Sequence, residues 1–452
     1  MRRSFWCGAI ITGTLLTLAI DISPVKAATI SANSCSYADV RAAVDRAVNG
    51  DTVLIPAGTC SWTSNLTISN KYFTLQGAGI DKTVIIDNLV KGNYPIIPQP
   101  LVWNTINGGL TRMTGITWQG GTTVDPVPNK GTVVFQGQSQ QLRIDHCKFV
   151  PTKTSAMFFY GGQFGVVDHN VFNLSNNAGY GFYNFHFDWT VPGSNYGDYS
   201  WAGADTLGTD KAMFFEDNVF TNDKTKWPFN FAFDGWGGGR IVIRRNSFSA
   251  TTMGSHGTES GGRWRGLRQF EIYDNTMNWN MGGQGFESWF DIRSGIGVIF
   301  NNAATITNPS NGLGTVAYLK IFRTSAPYSP WGQCNGSSPW DGNTSPPGYP
   351  CLDQVGWAGG DLIRNDPPTN TVLGGAKWPR QVLKGVYIWN NTINGVISDA
   401  LSQQPTYTKA GREYFNRTPK PGYVPFTYPH PLVTASGSTN AAPAAPKNLT
   451  VN

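Results

Sequence analysis

Several segments of this 452-residue chain share one order of apolar and polar positions. They are LRIDHCKF (142–149), GVVDHNVF (165–172), MFFEDNVF (213–220), IVIRRNSF (241–248), FEIYDNTM (270–277), GVIFNNAA (297–304) and VYIWNNTI (386–393). The template reads apolar, any, apolar, any, any, Asn, any, apolar. Its opening alternation predicts a short strand with one inward face. The change of phase before Asn predicts a turn, and the next apolar residue opens another strand.

The Asn position is held by Asn170, Asn218, Asn246, Asn275, Asn302 and Asn391, and by Cys147 in the first copy. Neighbouring copies fall 23 to 29 residues apart, with one double step of 48 and a longer interval before the last. Short strands at such a period, with no helical pattern between them, predict stacked coils of a parallel β-solenoid. Stacking at ~4.8 Å lets the Asn amides bond from coil to coil and satisfy a buried turn. Cys147 reads as a small, buried, unpaired thiol in that ladder.

Upstream, SYADVRAAVDRAVNGDTVLIPAG (36–58) has Val40, Ala43, Val44, Ala47 and Val48 on one helical face, then Asn49-Gly50 as a stop, then a strand. Such a helix covers the open end of a solenoid. The helix, GDTVLIPAG, the later LTISNKYFTLQGAG and the Asn-anchored repeats resemble secreted bacterial right-handed parallel β-helix proteins of the pectin-lyase-like superfamily, over about residues 36–400. The resemblance implies an all-β, right-handed parallel β-helix with an N-terminal capping helix and long surface loops. It does not choose a chemistry, because that superfamily includes lyases, hydrolases, esterases and non-catalytic adhesins.

The N-terminus changes the cellular picture. Arg2 and Arg3, an apolar run from Phe5 to Ile20, and Val25-Lys26-Ala27 form a signal-peptide pattern, so residues 1–27 are expected to leave on export. No other run is apolar enough to span a bilayer. Residues 28–435 are expected to form the β-helix domain, and SGSTNAAPAAPKNLTVN (436–452) a Ser/Ala/Pro-rich linker tail. In an oxidising compartment Cys35 with Cys60, and Cys334 with Cys351, are the expected disulfides.

Charged residues make up only 14% of the chain and the formal net charge is +6, mildly basic and no more. No nucleic-acid motif is present. HExxH, CxxC and EF-hand patterns are absent, so no metal or other cofactor is assigned, although carboxylates on neighbouring coils leave calcium open. A monomer acting on a polysaccharide is the expected assembly and partner.

Three long insertions, 173–211, 249–264 and 305–383, point to a loop-walled cleft on the outside of the coils. Aromatic side chains suited to stacking on sugar rings are Tyr180, Tyr183, Trp189, Tyr199 and Trp201 in the first insertion, with Trp236 and Tyr273 on the coils. Counting back from the Asn positions brings Asp234, Arg263 and Asp291 near one another, with Arg265 and Arg293 beside them. The loop SHGTESGGRWRGLR adds His256 and Glu259, and its exposed set is expected to be His256, Glu259, Arg263 and Arg265. Imidazole transfers protons near neutral pH, and arginine offers a fork to a sugar carboxylate. Together these residues favour a lyase that cleaves a uronic-acid polymer by β-elimination. Paired carboxylates among Asp234, Glu259 and Asp291 leave glycoside hydrolysis as the alternative. A non-catalytic glycan-binding surface is the remaining one.

Overall fold

A computed structural model describes residues 27–435 apart from 92–97, 123–130, 153–154, 176–181, 186–195, 223–230, 261, 344–349 and 364–377. The signal segment up to Lys26, the tail from residue 436, Tyr180, Trp189 and the side chain of Tyr183 lie outside the described residues.

The chain is a parallel β-helix with three strands per regular coil. The first face runs from Thr52–Ile55 through Thr74–Gly77, Met213–Glu216, Arg240–Arg244 and Gln269–Tyr273 to Tyr414–Asn416. The second starts at Gly58–Trp62 and reaches Thr392–Ile393. The third starts at Leu66–Ser69 and includes Phe231–Trp236, Thr252–Ser255, Ser288–Ile292 and Thr315–Leu319. Each strand pairs with its equivalent one coil on, so inward residues stack on like residues. On the second face Phe149, Phe172, Phe220 and Phe248 form a continuous stack with centroids 5.1, 4.6 and 4.8 Å apart.

The turn between the first and second faces explains the repeat. Each ladder residue follows one in left-handed backbone: His146, His169, Asp217, Arg245, Asp274, Asn301 and Asn390, with φ between 51° and 57°. That residue makes the phase break seen in the sequence. Asn246 Nδ2 then donates to Phe215 O in the coil before (2.9 Å), to Arg244 O (3.0 Å) and to Asn275 Oδ1 in the coil after (3.0 Å). Cys147 enters the ladder through its backbone N–H, which donates to Asn170 Oδ1 at 2.9 Å. Its thiol is free and buried, and burial pushes it well above the usual thiol range.

Both disulfides form, Cys35–Cys60 and Cys334–Cys351. The capping helix is Tyr37–Arg46, with the Ser36 side chain accepting from Asp39 N and Val40, Ala43 and Val44 buried. Val48 departs from expectation: the helix has ended before it, and it is 55% exposed.

A C-terminal strap lies across the outside of the first face. Arg244 donates to Phe426 O and Thr427 O, Arg143 to Leu432 O and Val433 O, and Glu216 accepts from His430 N. Tyr423, Phe426, Leu432 and Val433 pack there on Phe214, Val242 and Tyr273. Residues 200–208 of the first insertion also bond first-face strands, through Arg240, Gln269 and Glu271. Among the described residues, no helix is long and apolar enough to cross a membrane.

Candidate functional site

Register on the third face assembles the site. Tyr183, Asp234, Gly254, Asp291 and Tyr318 occupy equivalent positions on successive strands. Two residues after each of the last three come His256, Arg293 and Lys320, so three basic side chains follow one another along the solenoid. Gly254 leaves the position between the two aspartates without a side chain, and an added Cβ would lie 3.0 Å from the Phe231 ring.

His256 is the best-anchored group. Its Nδ1 lies 2.7 Å from Asp234 Oδ1, its N–H donates to Gly235 O, and its carbonyl accepts from Leu267 N and Ser294 Oγ. The imidazole is 23% exposed and the Asp234 carboxyl 2%. Burial works against charge on this ring, but the neighbouring Asp234 anion and its hydrogen bond outweigh it, and the pKa is raised above 6.5. Trp236 packs near the ring at a centroid distance of 5.8 Å, and Trp264 lies 5.2 Å from Trp236.

The remaining groups form a balanced network. Arg293 reaches Asp291 at 3.3 Å and Glu259 at 3.6 Å, with its guanidinium over Phe322. Lys320 binds Glu287 at 2.9 Å and Asp291 at 3.1 Å. Glu259 is 8% exposed and accepts from Gly257 N, so it holds the loop that carries His256. Each of these cations faces carboxylates, and the cluster is not the positive field that the arginine-rich sequence suggests.

Those arginines are engaged elsewhere. Arg263 and Arg265 are 7% and 0% exposed, contrary to the expected exposed set. Arg263 binds Asp198 at 2.5 Å, and Arg265 binds Asp198 at 2.9 Å and Asp353 at 2.6 Å. Arg268 binds Asp205, Arg240 binds the Ser200–Thr206 segment, and Arg244 binds Glu216. They tie loops to the coils, and the ion pairs offset the burial of Arg263, Arg265 and Arg244, while Arg268 bonds through one nitrogen alone among the described residues. The register expected for Arg263 belongs to Gly254, because the chain leaves the third face at His256 and returns only at Gln269 on the first.

The aromatic candidates divide similarly. Trp201 is fully buried and its indole donates to Gly266 O at 2.8 Å, so it is a loop tie. Tyr199 is half-buried on the short helix Asp198–Ala202. Tyr273 sits on the first face, stacked on Phe300 and bonded from Arg244, with its hydroxyl pushed up to about 12 by burial. It is remote from the cluster. Trp236 is beside it. The structure thus joins Asp234, His256, Glu259, Asp291, Arg293 and Trp236, and adds Lys320 and Glu287, which sequence counting missed. Asp291 and Arg293 in FDIR align with Tyr318 and Lys320 in AYLK, and that i, i+2 match was the available signal. Among the described residues no group of three or more His, Cys, Asp or Glu is arranged to hold a metal ion.

No protein-family model matches the chain, and no curated protein matches it. Among solved structures it is similar to a PL6 family polysaccharide lyase from Pseudopedobacter saltans, at 12% identity and a TM-score of 0.40, over 87% of this chain and 94% of that one.

Proposed function

We propose that the protein is an exported polysaccharide lyase acting on a uronic-acid-containing polymer by β-elimination. The observation that carries this reading is the Asp234–His256 pair beside Arg293 and Lys320 on one open face. Asp234 holds Nδ1 and leaves Nε2 as the ring nitrogen for substrate. In the reaction Nε2 takes the proton from the carbon next to the sugar carboxylate. The electron pair left behind forms the double bond and the glycosidic oxygen departs, receiving the proton that the imidazolium carries. In this reading Arg293 and Lys320 offset the charge of the sugar carboxylate, which takes a share of the cations now paired with Asp291, Glu259 and Glu287.

The two disulfides suit an oxidising destination. Incubation with polyuronates tests the reaction, because elimination gives an unsaturated sugar that absorbs in the ultraviolet. One feature favours a second reading: Asp234 and Asp291 are two ladder steps apart, roughly 9–10 Å along the axis. That approaches the separation used by inverting glycosidases. New reducing ends without ultraviolet absorbance would establish hydrolysis and sink the lyase reading.

A further inference from the structure

Beside the cluster, at the beginning of the third-face strands, is a pocket of about 70 Å³. Phe231, Met253 and Phe286 supply its apolar wall, Thr252 and Ser288 add hydroxyls, and the carboxylates of Asp291 and Glu287 line it on the side of the cluster. Trp279 closes it from the second-face strand Thr276–Asn280. This tryptophan is 3% exposed, and its Nε1–H has no hydrogen-bond partner among the described residues. A buried donor without an acceptor costs about 1–3 kcal/mol, and an acceptor oxygen reaching this indole through the pocket would remove that cost.

Lys320 binds both lining carboxylates, Asp291 and Glu287, and Arg293 binds Asp291 as well, so the charges at the pocket are balanced. Its space is about half that of a ~150 Å³ cavity that admits benzene, the scale of a few heavy atoms rather than a whole sugar ring. Apolar walls, an unpartnered N–H on one lining residue and balanced charge fit a small acyl group: a methyl against the phenyl rings and a carbonyl oxygen on the indole.

We propose that this pocket receives an acetyl substituent of the bound sugar, with Trp279 Nε1 donating to the acetyl carbonyl oxygen. The inference names the decoration of the substrate and rests on the reading that the Asp291 cluster binds a sugar polymer; it holds for elimination or hydrolysis. It makes Trp279 a specificity-determining residue and assigns it no proton transfer.

The test uses full-length protein carrying ¹⁵N-labelled tryptophan indoles, with the Trp279 signal assigned by its loss in Trp279→Phe. Three methyl glycosides are titrated: an O-acetylated uronate, the same uronate without acetyl, and an N-acetylhexosamine. Downfield movement of the Trp279 indole proton with either acetylated sugar, and not with the bare uronate, is expected, and the two acetylated arms tell ester from amide. With acetylated and saponified polyuronate as ligands, the wild type should prefer the acetylated form by about fivefold, one neutral hydrogen bond, and Trp279→Phe should lose that preference. A preference ratio is not moved by mere loosening of the core. An unmoved Trp279 signal, or equal movement with all three sugars, overturns the pocket assignment. A moved signal with no cleavage of any polymer overturns the lyase reading and leaves the pocket standing.

Discussion

Asp234→Asn separates a catalytic His256 from a structural one. The substitution keeps the shape of a side chain that is 2% exposed and removes only its charge. A hydrogen bond to a charged partner contributes ~1.5–3 kcal/mol net against ~1 for a neutral one. Roughly 1–2 kcal/mol of support for the imidazolium formed during proton abstraction is therefore lost, which is about tenfold in kcat. The loss grows toward that of removing the base, ~10²–10⁴-fold, if the new amide turns its NH₂ to Nδ1 and forces the wrong tautomer. The pH profile gives the sharper readout. A base must be neutral, so the rate rises with pH through the histidine pKa, which Asp234 holds above 6.5. Without the anion that rise moves to lower pH. Initial rates of unsaturated product across pH, for wild type, Asp234→Asn and His256→Gln, measure both effects. An Asp234→Asn enzyme within twofold of wild type, with its pH limb unmoved, would refute the pair as the base.

Arg265→Ala strands Asp353 as a buried carboxylate and leaves Asp198 with Arg263 alone, so chemical denaturation should show a loss of about 3–5 kcal/mol. Asn246→Ala removes the acceptor used by Asn218 and the donor to Phe215 O, and a loss of roughly 2–4 kcal/mol in the same measurement is expected. His430 is held neutral down to about 4, first by burial and then by Arg244. Below 6.5 the unfolded chain takes a proton that the folded one refuses, so stability falls as pH drops from 6.5 toward 4, by up to about 3 kcal/mol. Thermal unfolding of His430→Phe should lack that part of the slope, and an unchanged slope would remove the strap from the account of acid lability.

The fold was legible because a solenoid writes its period into the chain. Asn170 through Asn391 mark one turn per coil, and local pattern suffices to find them. The capping helix and both disulfides follow from equally local signals. The site was only partly legible because register across long loops is not local. Asp234 and Asp291 were found by counting from their Asn anchors. Lys320 escaped because residues 321–381 separate it from Asn391, so a count back from that anchor fails. Exposure failed for a different reason: Arg263 and Arg265 look free in sequence because Asp198 and Asp353 lie 65 and 88 residues away.

Those distant partners also explain how His256 is placed. Asp198 belongs to the first insertion, Arg263 to the second with Arg265 immediately after it, and Asp353 to the third, so one buried network joins all three loops. Replacing such a network by well-packed apolar groups often leaves stability unchanged or higher, so stability alone does not account for it. Its geometric consequence is specific. Gly266 N is held by Asp353, Gly266 O receives the Trp201 indole, and the next residue, Leu267, bonds His256 O. The imidazole is therefore fixed from the Asp234 side by a coil and from the other by three loops. The double variant Arg265→Met/Asp353→Asn, which leaves Asp198 paired with Arg263 and no carboxylate of the network without a cation, separates two roles that Arg265→Ala confounds. If the clamp acts by position, this double variant will fold and bind oligouronate while losing turnover. Unchanged turnover in a variant of near-native stability would show that the loops need no such tie to hold the base.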